Sequence, residues 1–155
     1  MKRLRVYFDT SVLGGCFDEE FAEWSTRLID DIRAGRFAPL LSDVTAAETG
    51  DAPAAVQALH DELLVIAGDL LPVTAEALEL VGAYQTRGVL SARFCNDMLH
   101  IALATIAEVD VLVSWNFRHV VRLDKIRLFN AVNLELGYKP LTIYSPREVI
   151  TYEED

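Results

Sequence analysis

The run Arg5-Val6-Tyr7-Phe8-Asp9-Thr10-Ser11-Val12-Leu13 constrains the fold more than any other part of the chain. Its apolar first half has the character of a buried β-strand, and it stops on a carboxylate followed by two hydroxyl residues. Open α/β sheets place their ligands at the carboxyl ends of their strands, which is where Asp9 would stand.

The rest of the chain supplies partners for such a strand. Phe17, Phe21, Trp24, Leu28 and Ile32 fall at helical spacing and predict an amphipathic helix ending near Gly35. Residues 37–42 predict a second strand, and residues 44–49 a short helical turn stopped by Gly50. Pro53 suits the start of a helix with Val56, Leu59 and Leu63 inside. Residues 70–73 predict a short strand or an extended link. Thr74 is placed to cap a helix carrying Leu78, Val81 and Tyr84 and ending at Gly88. Residues 96–107 are apolar almost all round and predict a buried helix. Residues 109–114 have the β-branched, apolar character of a central strand. A helix over residues 125–136 closed by Gly137, a strand over 141–144 and a turn from Ser145 complete the chain. Strands alternating with helices predict an α/β sandwich with a mainly parallel sheet. With 155 residues, and neither repeat nor linker, residues 1–155 are expected to form a single domain.

Three carboxylates stand in apolar surroundings: Asp9, Glu48 and Asp97. Charged groups are seldom buried without a partner, because desolvation costs several kcal/mol per ion. Each taken alone has a structural explanation. Asp9 suits an Asx turn, Glu48 a solvated helix face, and Asp97 a helix cap or an arginine partner. Taken together they differ, because a parallel sheet brings the ends of the first, second and 109–114 strands to one edge. Asp9, Glu48 and Ser114-Trp115-Asn116 would converge there. Carboxylates held close repel, and a divalent cation relieves them. Oxygen-only ligands suit Mg²⁺ or Mn²⁺ and not zinc, and such ions serve phosphodiester hydrolysis.

Four stretches then resemble, in order, the four motifs of PIN domains, and in particular VapC-like toxins. They are Phe8-Asp9-Thr10-Ser11-Val12-Leu13, Ser42-Asp43-Val44-Thr45-Ala46-Ala47-Glu48, Asn96-Asp97-Met98-Leu99-His100-Ile101-Ala102 and Val113-Ser114-Trp115-Asn116-Phe117-Arg118-His119. The resemblance runs nearly end to end. It implies a ribonuclease H-like α/β/α sandwich that cleaves RNA with Mg²⁺ or Mn²⁺. Asp9, Glu48 and Asp97 match the metal ligands, with Thr10 and Ser11 as supporting hydroxyls. Asn116 stands where many members carry a fourth aspartate; it keeps a carbonyl oxygen but loses the charge, which implies weaker affinity for a second ion. The resemblance also implies an antitoxin partner and a homodimer.

Arg118, His119, Arg122, Lys125 and Arg127 form a basic stretch past Asn116, with Arg118, Arg122 and Lys125 as candidate RNA contacts against a plain solvated helix face. Trp115 and Phe117 suit base stacking or the core. His100 is expected as a hydrogen-bonded core histidine, and His60 as an exposed one. A formal net charge of −10 argues against a protein that coats nucleic acid non-specifically, although acidic metal ligands belong to such an excess. Cys16 and Cys95 lack metal-site spacing and are expected as free thiols. No signal-peptide pattern follows the basic start, so a cytoplasmic protein without a membrane span is expected. An aspartyl-phosphate phosphatase also begins with a strand and Asp, but it needs a second Asp where this chain has Ser11. The remaining alternative is a PIN-like module that binds RNA or a protein without turnover.

Overall fold

The computed structural model describes residues 2–154, so Met1 and Asp155 of the expected 1–155 domain lie outside the described residues. Five parallel strands form one sheet in the order β3-β2-β1-β4-β5. The strands are β1 (Leu4–Phe8), β2 (Phe37–Ser42), β3 (Leu70–Leu71), β4 (Val111–Val113) and β5 (Ile143–Tyr144). The helices are α1 (Thr10–Gly15), α2 (Ala22–Arg33), α3 (Asp43–Thr49), α4 (Ala54–Ala67), α5 (Ala75–Thr86), α6 (Cys95–Ile106), α7 (Leu123–Glu135) and α8 (Pro146–Glu154).

Strand pleating sends successive side chains to opposite faces, and each face is covered by helices. Val6, Phe8, Val111 and Val113 pack with Val12 and Leu13 of α1, Leu28 and Ile32 of α2, Leu63 of α4 and Ile150 of α8. Tyr7 and Leu112 face the other way, into Leu80 and Tyr84 of α5, Met98 and Ile101 of α6, and Phe129 of α7. The result is the three-layer α/β/α sandwich that the alternation of elements predicts. β1 lies between β2 and β4, so the carboxyl ends that matter are adjacent.

Several local expectations are corrected. The helix expected from Phe17 starts only at Ala22 as α2, Phe17 is exposed, and an additional short helix, α1, follows Asp9 directly. Asp9 caps α1, its carboxylate accepting from the Ser11 amide at 3.2 Å. On α5 the inward residues are Ala77, Leu80, Val81 and Tyr84, while Leu78 faces solvent. His60 is buried, not exposed, and bonds the Thr45 hydroxyl at 3.0 Å. The strand expected over 109–114 narrows to Val111–Val113. Among the described residues no helix is long and apolar enough to cross a membrane.

Gly15 fixes how closely α1 approaches the turn after β4. A Cβ built there would meet Ser25 Oγ at 2.5 Å and Trp115 Nε1 at 2.7 Å. Those two atoms are bonded to each other at 2.7 Å in a buried position. The Trp115 ring also stacks on Phe21, with centroids 4.3 Å apart. Gly15→Ala is therefore expected to break the Trp115–Ser25 bond and to cost about 1–3 kcal/mol, the range for overpacking a tight core. A urea melt checks this, and an unchanged midpoint would mean the wall yields.

Candidate active site at the carboxyl end of the sheet

Asp9 follows the last residue of β1 and is 5% exposed. Ser11 Oγ donates to its Oδ1 at 2.5 Å, and Ser114 Oγ donates to its Oδ2 at 2.6 Å. Burial pushes the Asp9 carboxyl above the usual carboxylate range. The His100 imidazole and the two serine hydroxyls offset that in part, and the Glu48 charge adds to it.

Glu48 reaches the same edge from the last turn of α3. The sequence ends β2 at Ser42, whose side chain caps α3 in a reciprocal capping box with Thr45. That junction carries Glu48 to Thr10, whose Oγ1 donates to Glu48 Oε1 at 2.8 Å. His100 Nε2 bonds the same oxygen at 2.6 Å. Burial pushes Glu48 upward, but the hydrogen bond from His100, with donors on Thr10 and Asn96, outweighs it and holds the carboxyl below its ordinary value. Asp9 and Glu48 thus sit side by side with opposite leanings: one disposed to hold a proton, the other to remain ionised.

Asp97 enters from the first turn of α6. Its Oδ1 accepts from Asn116 Nδ2 at 3.3 Å, and its Oδ2 faces His119 Nδ1 at 3.1 Å. Asn116 in turn is pinned. Its Oδ1 accepts from the amides of Arg118 and His119, and its own amide donates to Ser114 Oγ at 2.9 Å. Ser114 therefore links the Asp9 group to the Asp97 group.

Asp9, Asn116 and Asp97 share this network with Ser11 and Ser114, whereas Glu48 is held in a separate group by Thr10 and His100. They are not drawn into one cluster of carboxylates. Among the described residues no three His, Cys, Asp or Glu side chains are gathered closely enough to hold a metal ion. The donor set fits a hard divalent cation in kind, since its ligating atoms are carboxylate and amide oxygens. Asp9 and Glu48 form the mutually repelling pair, and Asp97 is engaged by Asn116 and His119.

The basic stretch divides. Arg118 is exposed, and Arg122 is exposed but paired with Asp124 at 2.7 Å. Lys125 Nζ donates to the Val89 carbonyl at 2.8 Å, so its ammonium is committed to the protein. Phe117 is exposed, whereas Trp115 is in the core. Sequence reasoning brought Ser114 to this edge without giving it a role, counted His119 only in the basic stretch, left Tyr7 out of the site, and took His100 only as a core histidine. The hydroxyl directly after the apolar run of β4 was the available signal for Ser114. Nothing local marks the histidine partners, whose bonds to carboxylates span 22 and 52 residues.

No family model matches the chain, and no curated protein matches it. Among solved structures it superposes on FitAcB from Neisseria gonorrhoeae with a TM-score of 0.58 at 17% identity, over 91% of this chain and 97% of that one. It also superposes on VapBC2 from Rickettsia felis, solved with a DNA fragment from their promoter. There the TM-score is 0.56 at 13% identity, over 92% of this chain and 98% of the other. At such identity the likeness is one of fold, and the fold is PIN-like: a parallel five-stranded sheet flanked by helices.

Proposed function

We propose that the chain is a divalent-cation-dependent endoribonuclease, the VapC-like toxin of a toxin–antitoxin pair. The single observation that carries this is the gathering of Asp9, Glu48, Asp97 and Asn116 at the carboxyl end of a PIN-like sheet, in two hydrogen-bonded groups that meet at the neighbouring residues Asp9 and Thr10. Asp9 and Glu48 would hold Mg²⁺ or Mn²⁺, with Asp97 as the third ligand once it exchanges its contacts with Asn116 and His119. The cation would polarise a phosphoryl oxygen and lower the cost of activating water for hydrolysis.

The chain's own residues do the positioning. Ser11 and Ser114 fix both oxygens of Asp9, Thr10 and His100 fix Glu48, and Asn116 orients Asp97. Arg118 and Arg122, exposed just beyond Asn116, suit backbone phosphates, while Lys125 is already spent on Val89. An antitoxin segment would cover the same cleft, and a homodimer and a cytoplasmic setting complete the reading.

The test is a Mn²⁺ titration of wild type against Asp97→Asn, with RNA cleavage followed in parallel. Asp97→Asn is expected to bind Mn²⁺ about 10- to 100-fold more weakly and to lose cleavage. Equal binding by both proteins would remove Asp97 from the site. Mn²⁺ or RNA binding with no cleavage at any cation concentration would favour the second reading, a module that binds without turnover. The engagement of Asp97 by Asn116 and His119 is the feature that keeps that reading in view.

A further inference from the structure

Beneath Glu48 lies a chain of buried polar groups of which the proposed chemistry uses only the last member, His100. Tyr7 is fully buried and His100 is 2% exposed. Tyr7 OH is 2.8 Å from Ser42 Oγ and 2.6 Å from His100 Nδ1, and His100 Nε2 is 2.6 Å from Glu48 Oε1. Strand alternation turns Tyr7 toward α6, on the face opposite Val6 and Phe8. On α6 itself, Asp97 and His100 are one turn apart, so the same helix delivers one group to the rim and one to the floor.

Counting donors fixes the direction of every bond. Ser42 Oγ accepts from the amides of Val44 at 3.2 Å and Thr45 at 3.3 Å, which fills both of its lone pairs. Its own hydroxyl proton must then go to the Tyr7 oxygen. Tyr7 donates its proton onward to His100 Nδ1, which must present a lone pair. The imidazole proton is therefore on Nε2 and points at Glu48. Reversing the chain would put three donors on Ser42 Oγ and strand its proton. With the imidazole neutral it would also set a bare Nε2 against a carboxylate oxygen.

From this we infer that the cap of α3 sets the tautomer of His100, and that Ser42, Tyr7 and His100 are positioning residues for the Glu48 carboxylate. His100 Nε2–H and Thr10 Oγ1–H together clamp one oxygen of Glu48. A group held by two donors within a packed floor keeps a single orientation, which is what pre-organisation of an active carboxylate requires. The inference rests on the nuclease reading only where it takes Glu48 as a working group.

The experiment begins with unmodified protein. Long-range ¹H–¹⁵N correlation of the histidine rings in alkaline buffer should show the His100 proton on Nε2 and an acceptor shift on Nδ1. A proton on Nδ1 would overturn the inference, and this measurement needs no variant to fold. In Tyr7→Phe the acceptor shift on Nδ1 should vanish, and kcat should fall about 10- to 100-fold with KM unchanged, as for other lost outer-layer partners. His100→Gln, which keeps a side-chain N–H toward Glu48, should retain more turnover than His100→Leu. Folded His100→Leu with wild-type kcat would also overturn it. A wild type that shows the Nε2–H tautomer but cleaves no RNA would sink the nuclease reading and leave the relay standing.

Discussion

Asn116→Asp is expected to weaken the empty protein and strengthen its hold on a divalent cation at the same time. In the native chain Asn116 Nδ2 donates to Asp97 Oδ1 at 3.3 Å. The substitution replaces that donor with a second carboxylate oxygen at about the same place. Two like charges then face each other on a partly buried edge, and Asp97 loses a hydrogen bond. Together these should cost about 1–3 kcal/mol in chelator. The other contacts of Asn116 survive, because its Oδ1 accepts from the Arg118 and His119 amides and an aspartate oxygen accepts them equally well. The turn after β4 should hold, so the loss is electrostatic. A cation relieves such a pair, and Mn²⁺ affinity should rise about 10- to 100-fold, worth about 1.4 kcal/mol per tenfold. Binding to the native state alone then returns the lost stability by mass action. Thermal unfolding with and without Mn²⁺ gives both numbers. A variant that is destabilised and not rescued by Mn²⁺ would mean that no cation belongs beside Asp97. If turnover rises along with affinity, the native asparagine throttles an enzyme.

How far the sequence reveals this arrangement depends on the range of the interactions involved. Signals carried by neighbours were legible: β2 lies over Phe37–Ser42 as expected, Thr74 caps α5, and Asp9 stands just past β1. The parallel order follows from strand–helix alternation, and with it the meeting of Asp9, Glu48 and Asn116 at one edge. The helix after Asp9 was missed because six residues are too few to display a period, and two of its residues are glycines. Leu78 stands out in the sequence by its apolar character alone, whereas the helix buries Ala77 and Leu80 beside it and leaves Leu78 exposed. His60 was misplaced because its partner, the hydroxyl of Thr45, lies 15 residues earlier on another helix. The same limit governs the site. That three carboxylates belong to one region could be read from their odd surroundings. That Asp97 is engaged by Asn116 and His119 while Glu48 is clamped by Thr10 and His100 could not, since those bonds join residues 19 to 52 apart.

Asp9→Asn is expected to abolish cleavage and yet make the protein more stable, and the two effects have one cause. A carboxylate that is 5% exposed, with Glu48 nearby, carries a desolvation cost that its serine donors recover only in part. Asparagine keeps the shape. Its carbonyl oxygen can still accept from the Ser11 amide and hydroxyl, and Ser114 can rotate its proton to accept from the new amide. With the charge gone, stability in chelator should rise by about 0.5–2 kcal/mol, the gain often seen when a working group is neutralised. Cleavage should fall at least about 10²- to 10³-fold, the scale for removing one electrostatic contact to a transition state. The pH dependence separates this from a packing effect. Between its ordinary value of 3.8 and its raised native value, Asp9 is protonated in the folded chain and ionised in the unfolded one. The native state binds more protons there, so stability falls as pH rises through that window. Glu48 has the opposite sign. Its carboxyl is held below its ordinary 4.5, so the stability it contributes is present above that value and lost as pH falls through the lowered one. Urea midpoints measured in chelator should therefore decline on the high-pH side because of Asp9 and on the low-pH side because of Glu48. Asp9→Asn should flatten only the first slope. If both slopes persist in Asp9→Asn, the buried charge is not the origin of the high-pH loss. If stability instead drops, the serine bonds to Asp9 outweigh the desolvation they offset, and the site is held together by the group it was expected to strain.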